Sequence, residues 1–146
     1  ATGTWTVTGN RMTNVNSIGV ALSGQTGDNL VAIISDNVIT GSRNGAIGID
    51  YVQTGTVRAQ ITGNTMTGTT NAGATFEAAT AGSADICLDI TGNTNDDAYR
   101  LSQRDTATTR VEQVSQLATL NSGGASVTTP GGSNPPTEIA DGVCGF

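Results

Sequence analysis

The chain has 146 residues, of which 12% are charged and 3% aromatic, and its formal net charge is −6. All six basic residues are arginines, so the clustered cations that bind phosphate are missing and we expect no nucleic-acid partner. The lack of histidine excludes a Ser-His-Asp triad and His-ligated metal. No apolar run reaches the roughly 20 residues that a transmembrane helix needs.

A four-residue phrase recurs along the first two thirds of the chain, with an aliphatic residue, a hydroxyl residue, a turn residue and an asparagine. Its four copies are Val7–Asn10, Ile34–Asn37, Ile61–Asn64 and Ile90–Asn93. Their asparagines are 27, 27 and 29 residues apart. A repeat of this length, rich in β-branched and turn residues, is typical of a solenoid whose coils bury each other's apolar faces.

Apolar residues alternate with polar ones before each phrase, as in Leu30, Ala32 and Ile34, which indicates strands with one buried face. A second alternating segment follows about ten residues after the asparagine. The sequence therefore predicts an all-β fold, a right-handed parallel β-helix (solenoid) of about four coils over residues 1–94, with the handedness usual for parallel crossovers.

Stacked coils would place the four asparagines in one column, about 4.8 Å apart. The column consists of Asn10, Asn37, Asn64 and Asn93. Asparagine tolerates left-handed backbone angles, and its amide carries both donors and acceptors. A ligand-binding column is the alternative, but we interpret this one as a structural ladder along a corner.

The repeat weakens after Asn93, and residues 95–146 are predicted to form a C-terminal cap. Thr109–Glu112 has the pattern of a helix capping box, and Val111, Val114 and Leu117 follow at helical spacing. A helix is therefore expected over about 110–121. The three prolines lie in the extended tail beyond it.

The chain has two cysteines, Cys87 and Cys144. Two isolated cysteines form no zinc motif, and in an acidic chain rich in Gly, Thr and Asn they favour a disulfide formed in an oxidising compartment. Two buried free thiols are the alternative. A disulfide would tether the tail to the outer face of the strand that contains Cys87.

The phrases resemble the right-handed parallel β-helix repeat of secreted bacterial proteins, the broad pectate-lyase-like group, over roughly residues 4–94. The later segments 86–93 and 99–104, followed by a helix and a terminal cysteine, are similar to the carboxyl-terminal closure of large bacterial β-strand-repeat surface proteins. These resemblances imply a secreted or cell-surface location and a structural or adhesive role, and they identify no catalytic residue.

The residues themselves also predict no enzyme. Asp36 and Asp89 belong to different columns, Asp96 and Asp97 are adjacent in sequence, and Arg58 has no acidic partner in its own coil. Polysaccharide lyases and hydrolases need such groups clustered as acid and base. We expect no cofactor, and leave open a calcium site formed by Asp85, Asp96, Asp97 and Asp105.

The chain begins at Ala1 within a repeat, which suggests a processed segment or the end of a longer protein. Its first coil would expose Trp5 and Val7 as a docking surface for a neighbouring coil, either of a longer chain or of a second copy. The predicted function is a non-enzymatic structural or adhesive module, assembling end to end into a filament or forming the tip of a surface stalk. The alternative is a polysaccharide-binding or lyase-like domain, with surface glycans as partners.

Overall fold

The computed structural model describes residues 2–24, 27–51, 54–70, 74–123 and 126–146. Over these residues the chain is a nearly all-β parallel solenoid of about five turns, with one short α-helix near the C-terminus. The predicted fold class is confirmed, although the prediction of about four coils was one too few.

Three parallel sheets run along the solenoid. The first contains β1 (Thr2–Thr8), β4 (Asp28–Ser35), β7 (Gly55–Thr62), β10 (Asp85–Thr91), β13 (Thr108–Glu112) and β15 (Thr137–Ile139). The second contains β2 (Arg11–Thr13), β5 (Val38–Thr40), β8 (Thr65–Thr67) and β11 (Thr94–Asn95). The third contains β3 (Val20–Gly24), β6 (Ile47–Tyr51), β9 (Phe76–Thr80), β12 (Tyr99–Gln103) and β14 (Val127–Thr128).

The core lies inside the coils and is formed by equivalent residues of successive strands. In the first sheet Ala32 pairs with Ala59, which pairs with Leu88, and Leu88 pairs with Val111. All four side chains are buried, because alternate residues of a strand point to the same side. The first sheet therefore has one buried and one outward face.

Each predicted corner begins with a residue in the left-handed backbone region. Gly9, Gly63 and Gly92 have φ of 67°, 65° and 65°, and Asp36 takes the same conformation with φ of 57°. Glycine has no Cβ to oppose this conformation, and aspartate tolerates it better than most residues do. The turn therefore places the following asparagine in the same position in every coil.

The helix predicted over about 110–121 is wrong in its extent. Residues from Thr108 to Glu112 form β13, and after a 3₁₀ turn at Val114–Gln116 the α-helix α1 covers only Leu117–Leu120. The hydroxyl of Thr109 does not cap a helix, because it lies buried, donating to the carbonyl oxygen of Ser102 at 2.9 Å. This segment therefore pairs with β10 as a strand, although its apolar residues have helical spacing.

The coils also continue beyond residue 94. β12 pairs with β9 on one side and with β14 on the other, while β13 pairs with β10 and β15. No helix among the described residues is long and apolar enough to cross a membrane.

Candidate functional site

The asparagine column is a directional hydrogen-bond ladder. Nδ2 of Asn37 donates to Oδ1 of Asn64 at 2.9 Å, and the backbone N–H of Asn37 donates to the same oxygen at 3.0 Å. The same two bonds join Asn10 to Asn37 and Asn64 to Asn93. In each of these asparagine–asparagine bonds the donors therefore belong to the earlier coil and the acceptor to the following one.

The ladder also ties each coil to the preceding one. Nδ2 of Asn37 donates to the carbonyl oxygen of Val7 at 2.9 Å, and Nδ2 of Asn64 donates to that of Ile34 at 2.8 Å. Asn37 and Asn64 are both fully buried. Their hydrogen-bonding groups are engaged within the protein, which favours the structural interpretation over a ligand-binding one.

Asn121 is a fifth member of the ladder, although it was predicted to lie at the end of a helix. Its Oδ1 accepts hydrogen bonds from the backbone N–H and from Nδ2 of Asn93, each at 2.9 Å. The spacing of 28 residues from Asn93 was an available signal. It was missed because Leu120 takes the place of the glycine, and the small Ala118 takes the place of the valine or isoleucine of the phrase.

Helix α1 closes the C-terminal end of the ladder. The backbone N–H and Nδ2 of Asn121 both donate to the carbonyl oxygen of Leu117 at 3.0 Å. In the inner coils these two donors point to the next asparagine. At Asn121 they are used within the same segment, so nothing is offered to a further coil.

The N-terminal end of the ladder is open. Asn10 donates to Asn37 and to the carbonyl oxygen of Thr8, but no hydrogen bond among the described residues is donated to its Oδ1. Asn10 is also exposed, unlike Asn37 and Asn64. The two ends of the column are therefore chemically different.

The apolar interior is also accessible at this end. Trp5 and Val7 pair with Ala32 and Ile34, which places them in the inward-facing columns of the first sheet. Trp5 is nevertheless 49% exposed. A cavity of about 90 Å³ lies beneath these residues, bounded on the far side by Val20, Ala21 and Leu22. The predicted interface at Trp5 and Val7 remains a prediction, now with a defined surface.

A disulfide joins Cys87 to Cys144, as predicted, with 5.6 Å between their Cα atoms. Cys87 lies between the inward-facing Ile86 and Leu88, yet it is buried as well, because the tail covers it. The carboxylate of Glu112, also buried, accepts hydrogen bonds from the backbone N–H groups of Gly142 at 3.0 Å and Cys144 at 2.6 Å. The tail is thus fixed by a covalent bond and by a buried charge.

An outer groove of about 540 Å³ crosses the first sheet beside the tail, and its lining includes Arg58, Asp85 and Arg110. Nε of Arg110 donates to Oδ1 of Asp85 at 3.0 Å, and Nη1 of Arg58 donates to the carbonyl oxygen of Cys144 at 3.3 Å. The described residues that line the groove include no aromatic side chain. The groove carries charged side chains but lacks a platform on which a sugar ring would stack.

The predicted acidic candidates are not brought together. Asp89 accepts a hydrogen bond from Gln60, Asp96 from the backbone of Gly68, and Asp105 from the backbone of Gly82. Asp97 accepts one from the backbone of Ala98, and Asp85 pairs with Arg110. Within the described ranges no group of three or more His, Cys, Asp or Glu residues is arranged to hold a metal ion.

Tyr99 is a buried ionisable residue of β12. Its hydroxyl donates to Oδ1 of Asn95 at 3.0 Å, and its ring meets that of Phe76 edge-on, with 5.8 Å between centroids. Burial raises the pKa of the Tyr99 phenol well above its ordinary value. It faces the core and not a cleft, so we assign it a structural role.

The sequence matches no protein-family model, and no curated protein or solved structure matches it. The parallel solenoid is therefore established by its strand pairing, while the resemblances to the pectate-lyase-like group and to bacterial surface proteins remain predictions.

Proposed function

We propose that this chain is a non-enzymatic structural module of the cell exterior that closes one end of a parallel β-solenoid, as the tip of a surface stalk does. The observation that carries the proposal is the difference between the two ends of the asparagine ladder. At Asn121 the donors are consumed by Leu117, whereas at Asn10 an acceptor is left without a donor among the described residues.

The sheet edges support the same polarity. At the N-terminal end the edge strands β1, β3 and β2 have seven, five and three residues. At the other end β11 has two residues, and the last two strands of the chain, β14 and β15, have two and three. All three prolines, Pro130, Pro135 and Pro136, lie in the segment that joins these two short strands. Short edges and prolines prevent further strand pairing, because proline offers no N–H to a neighbouring strand.

An extracellular location is supported by the disulfide, because such bonds persist in oxidising environments. The similarity of residues 86–93 and 99–104 to the carboxyl-terminal closure of bacterial surface proteins points the same way. A filament built end to end is less favoured, since each contact would join an open end to a closed one.

A glycan-binding role is the second candidate, and the outer groove with Arg58 and Arg110 is the observation that favours it. Arg58 is exposed, and its one hydrogen bond within the described residues is the contact with Cys144. The carboxylate of an acidic sugar would form an ion pair with this guanidinium. Binding of an oligouronate to the chain, abolished by Arg58→Gln and retained by Arg43→Gln on another face, would favour this second candidate.

The proposed closing role is tested by electron microscopy and light scattering of the purified chain over a wide concentration range. Because the C-terminal end is closed, we expect compact particles that do not lengthen with concentration. Filaments with a regular axial repeat would contradict the proposal, since they require the C-terminal end to accept another coil.

A further inference from the structure

We infer that the open N-terminal end accepts the C-terminal edge of another parallel β-coil that carries an asparagine at the corner facing Asn10. This inference rests on the proposed structural role and names the partner that the open end fits. It also excludes the C-terminal end of a second copy of this chain as that partner.

The first step is the unfilled acceptor. Oδ1 of Asn64 accepts two hydrogen bonds, from the backbone N–H and from Nδ2 of Asn37. Oδ1 of Asn37 accepts the same pair from Asn10. By continuation of this pattern, Oδ1 of Asn10 requires an asparagine one coil earlier that donates from the same two groups.

The second step is a carbonyl contact that Asn10 lacks. Nδ2 of Asn64 has three acceptors, namely Oδ1 of Asn93 and the carbonyl oxygens of Thr62 and Ile34. Nδ2 of Asn10 has the first two kinds of acceptor, on Asn37 and Thr8, and lacks a carbonyl of a preceding coil. A coil that runs in the same direction and in the same register supplies both the missing donors and the missing carbonyl.

The apolar and charged groups of the surface fit such a partner. Trp5 and Val7 lie in inward-facing columns at the open end, above the cavity bounded by Leu22 and Ile34. Arg11 is the one charged residue in the range 2–24. The contact is therefore made by strand pairing, apolar packing and amide hydrogen bonds, and only slightly by charge.

A second copy of this chain does not supply these groups from its C-terminal end. The donors of its Asn121 are bound to Leu117, and the edges of its β13 and β12 are covered by β15 and β14. A two-fold contact between two N-terminal ends would run β1 antiparallel to its counterpart. In that arrangement no asparagine of the second copy is oriented to donate to Oδ1 of Asn10.

The test adds one coil to the full chain. A copy of residues 28–54, which form one internal repeat, is fused directly before Ala1, so that the copied Asn37 lies one repeat before Asn10. We expect a higher melting temperature and a single unfolding transition. Asn10→Ala should lower the folding equilibrium constant roughly tenfold more in the extended chain than in the natural one, because it then leaves buried donors unpaired.

The matched controls are the same extension with Asn37→Ala in the copied segment and an extension with the copied residues in scrambled order. The first should lose most of the coupling to Asn10, and the second should leave the melting temperature unchanged. An added coil that is digested by protease, or an Asn10→Ala effect of equal size in both chains, would overturn the inference. Filaments of the natural chain would instead refute the closing role, and a dimer joined through two N-terminal ends would refute the choice of partner.

Discussion

The backbone N–H of Cys144 donates to the carboxylate of Glu112 at 2.6 Å, so the residue that is covalently bonded to Cys87 is also held by a buried negative charge. Glu112 was predicted to cap a helix. In the structure it ends the strand β13 and fixes the tail across the outer face of the first sheet.

Replacing Glu112 by glutamine should lower the free energy of unfolding by about 2 kcal/mol. The carboxylate now accepts hydrogen bonds from the backbone N–H groups of Gly142 and Cys144. The glutamine would turn its own NH₂ donor towards one of these N–H groups, and that hydrogen bond would be lost. Urea denaturation measures the change. Asp141→Asn, at an exposed carboxylate of the same tail, is the control and should alter stability by less than about 0.5 kcal/mol. Equal losses in the two variants would refute the role assigned to Glu112.

Removing the disulfide by Cys87→Ala with Cys144→Ala should lower the free energy of unfolding by about 4 kcal/mol, because the bond closes a loop of 57 residues in the unfolded chain. Denaturation with and without reductant gives the measurement. Reductant should destabilise the natural chain and leave the double variant unchanged. If reductant has no effect on the natural chain, the disulfide does not contribute as described.

Truncation to alanine should lower the free energy of unfolding by very different amounts at two asparagines of the ladder. Asn64→Ala leaves the backbone N–H of Asn37 and the carbonyl of Ile34 buried without their asparagine partner, and removes one acceptor of Asn37 Nδ2, so it should cost about 3 kcal/mol or more. Asn10→Ala, at the exposed end, should cost less than about 1 kcal/mol. The comparison uses equilibrium unfolding, and similar losses at the two positions would contradict the difference that we assign to their burial.

Stability should fall at high pH because of Tyr99. Burial raises the pKa of its phenol in the folded state, so above about pH 10, where a tyrosine of the unfolded chain ionises, the folded state holds the proton more tightly. The stabilising contribution is complete below that pH and is lost as the pH rises further. Unfolding measured between pH 8 and about pH 11.5 should show this slope in the natural chain and much less of it in Tyr99→Phe.

The control for this titration is Tyr51→Phe, which alters the other tyrosine. The chain contains no lysine, and arginine stays protonated throughout this range, so few other groups interfere. If Tyr99→Phe retains the full slope and Tyr51→Phe loses it, the assignment to Tyr99 is wrong.

The fold was predictable as far as the residues repeat. The spacing of Asn10, Asn37 and Asn64, with aliphatic residues before each, follows from the period of one coil. The fifth turn was not predictable by the same means, because its inward position holds the polar Thr109, which pairs with Ile86, while Ile86 in turn pairs with Val57 of the strand before it. Among the described residues, that hydroxyl is hydrogen-bonded to the carbonyl oxygen of Ser102 and to the hydroxyl of Thr80, and only the folded chain brings these groups together.

The closed end of the ladder was hidden for a related reason. A helix of four residues, Leu117–Leu120, has too little periodicity to be located by its apolar spacing. This helix matters because of the carbonyl oxygen of Leu117. That oxygen accepts the hydrogen bonds of Asn121 that an inner asparagine would donate to the next asparagine. A sequence pattern does not report where a single backbone acceptor is placed by tertiary packing.

The directional ladder also gives the molecule a preferred order of fraying. The first coil packs against one neighbour and shares its asparagine bonds with one side, whereas the inner coils are held from both sides. Loss of coils from the N-terminal end costs one interface at a time, but opening from the opposite end must first displace a tail anchored at Cys87 and Glu112. Under mechanical or thermal stress the coils should therefore unfold in order from the N-terminal end, and the closed C-terminal end should unfold last.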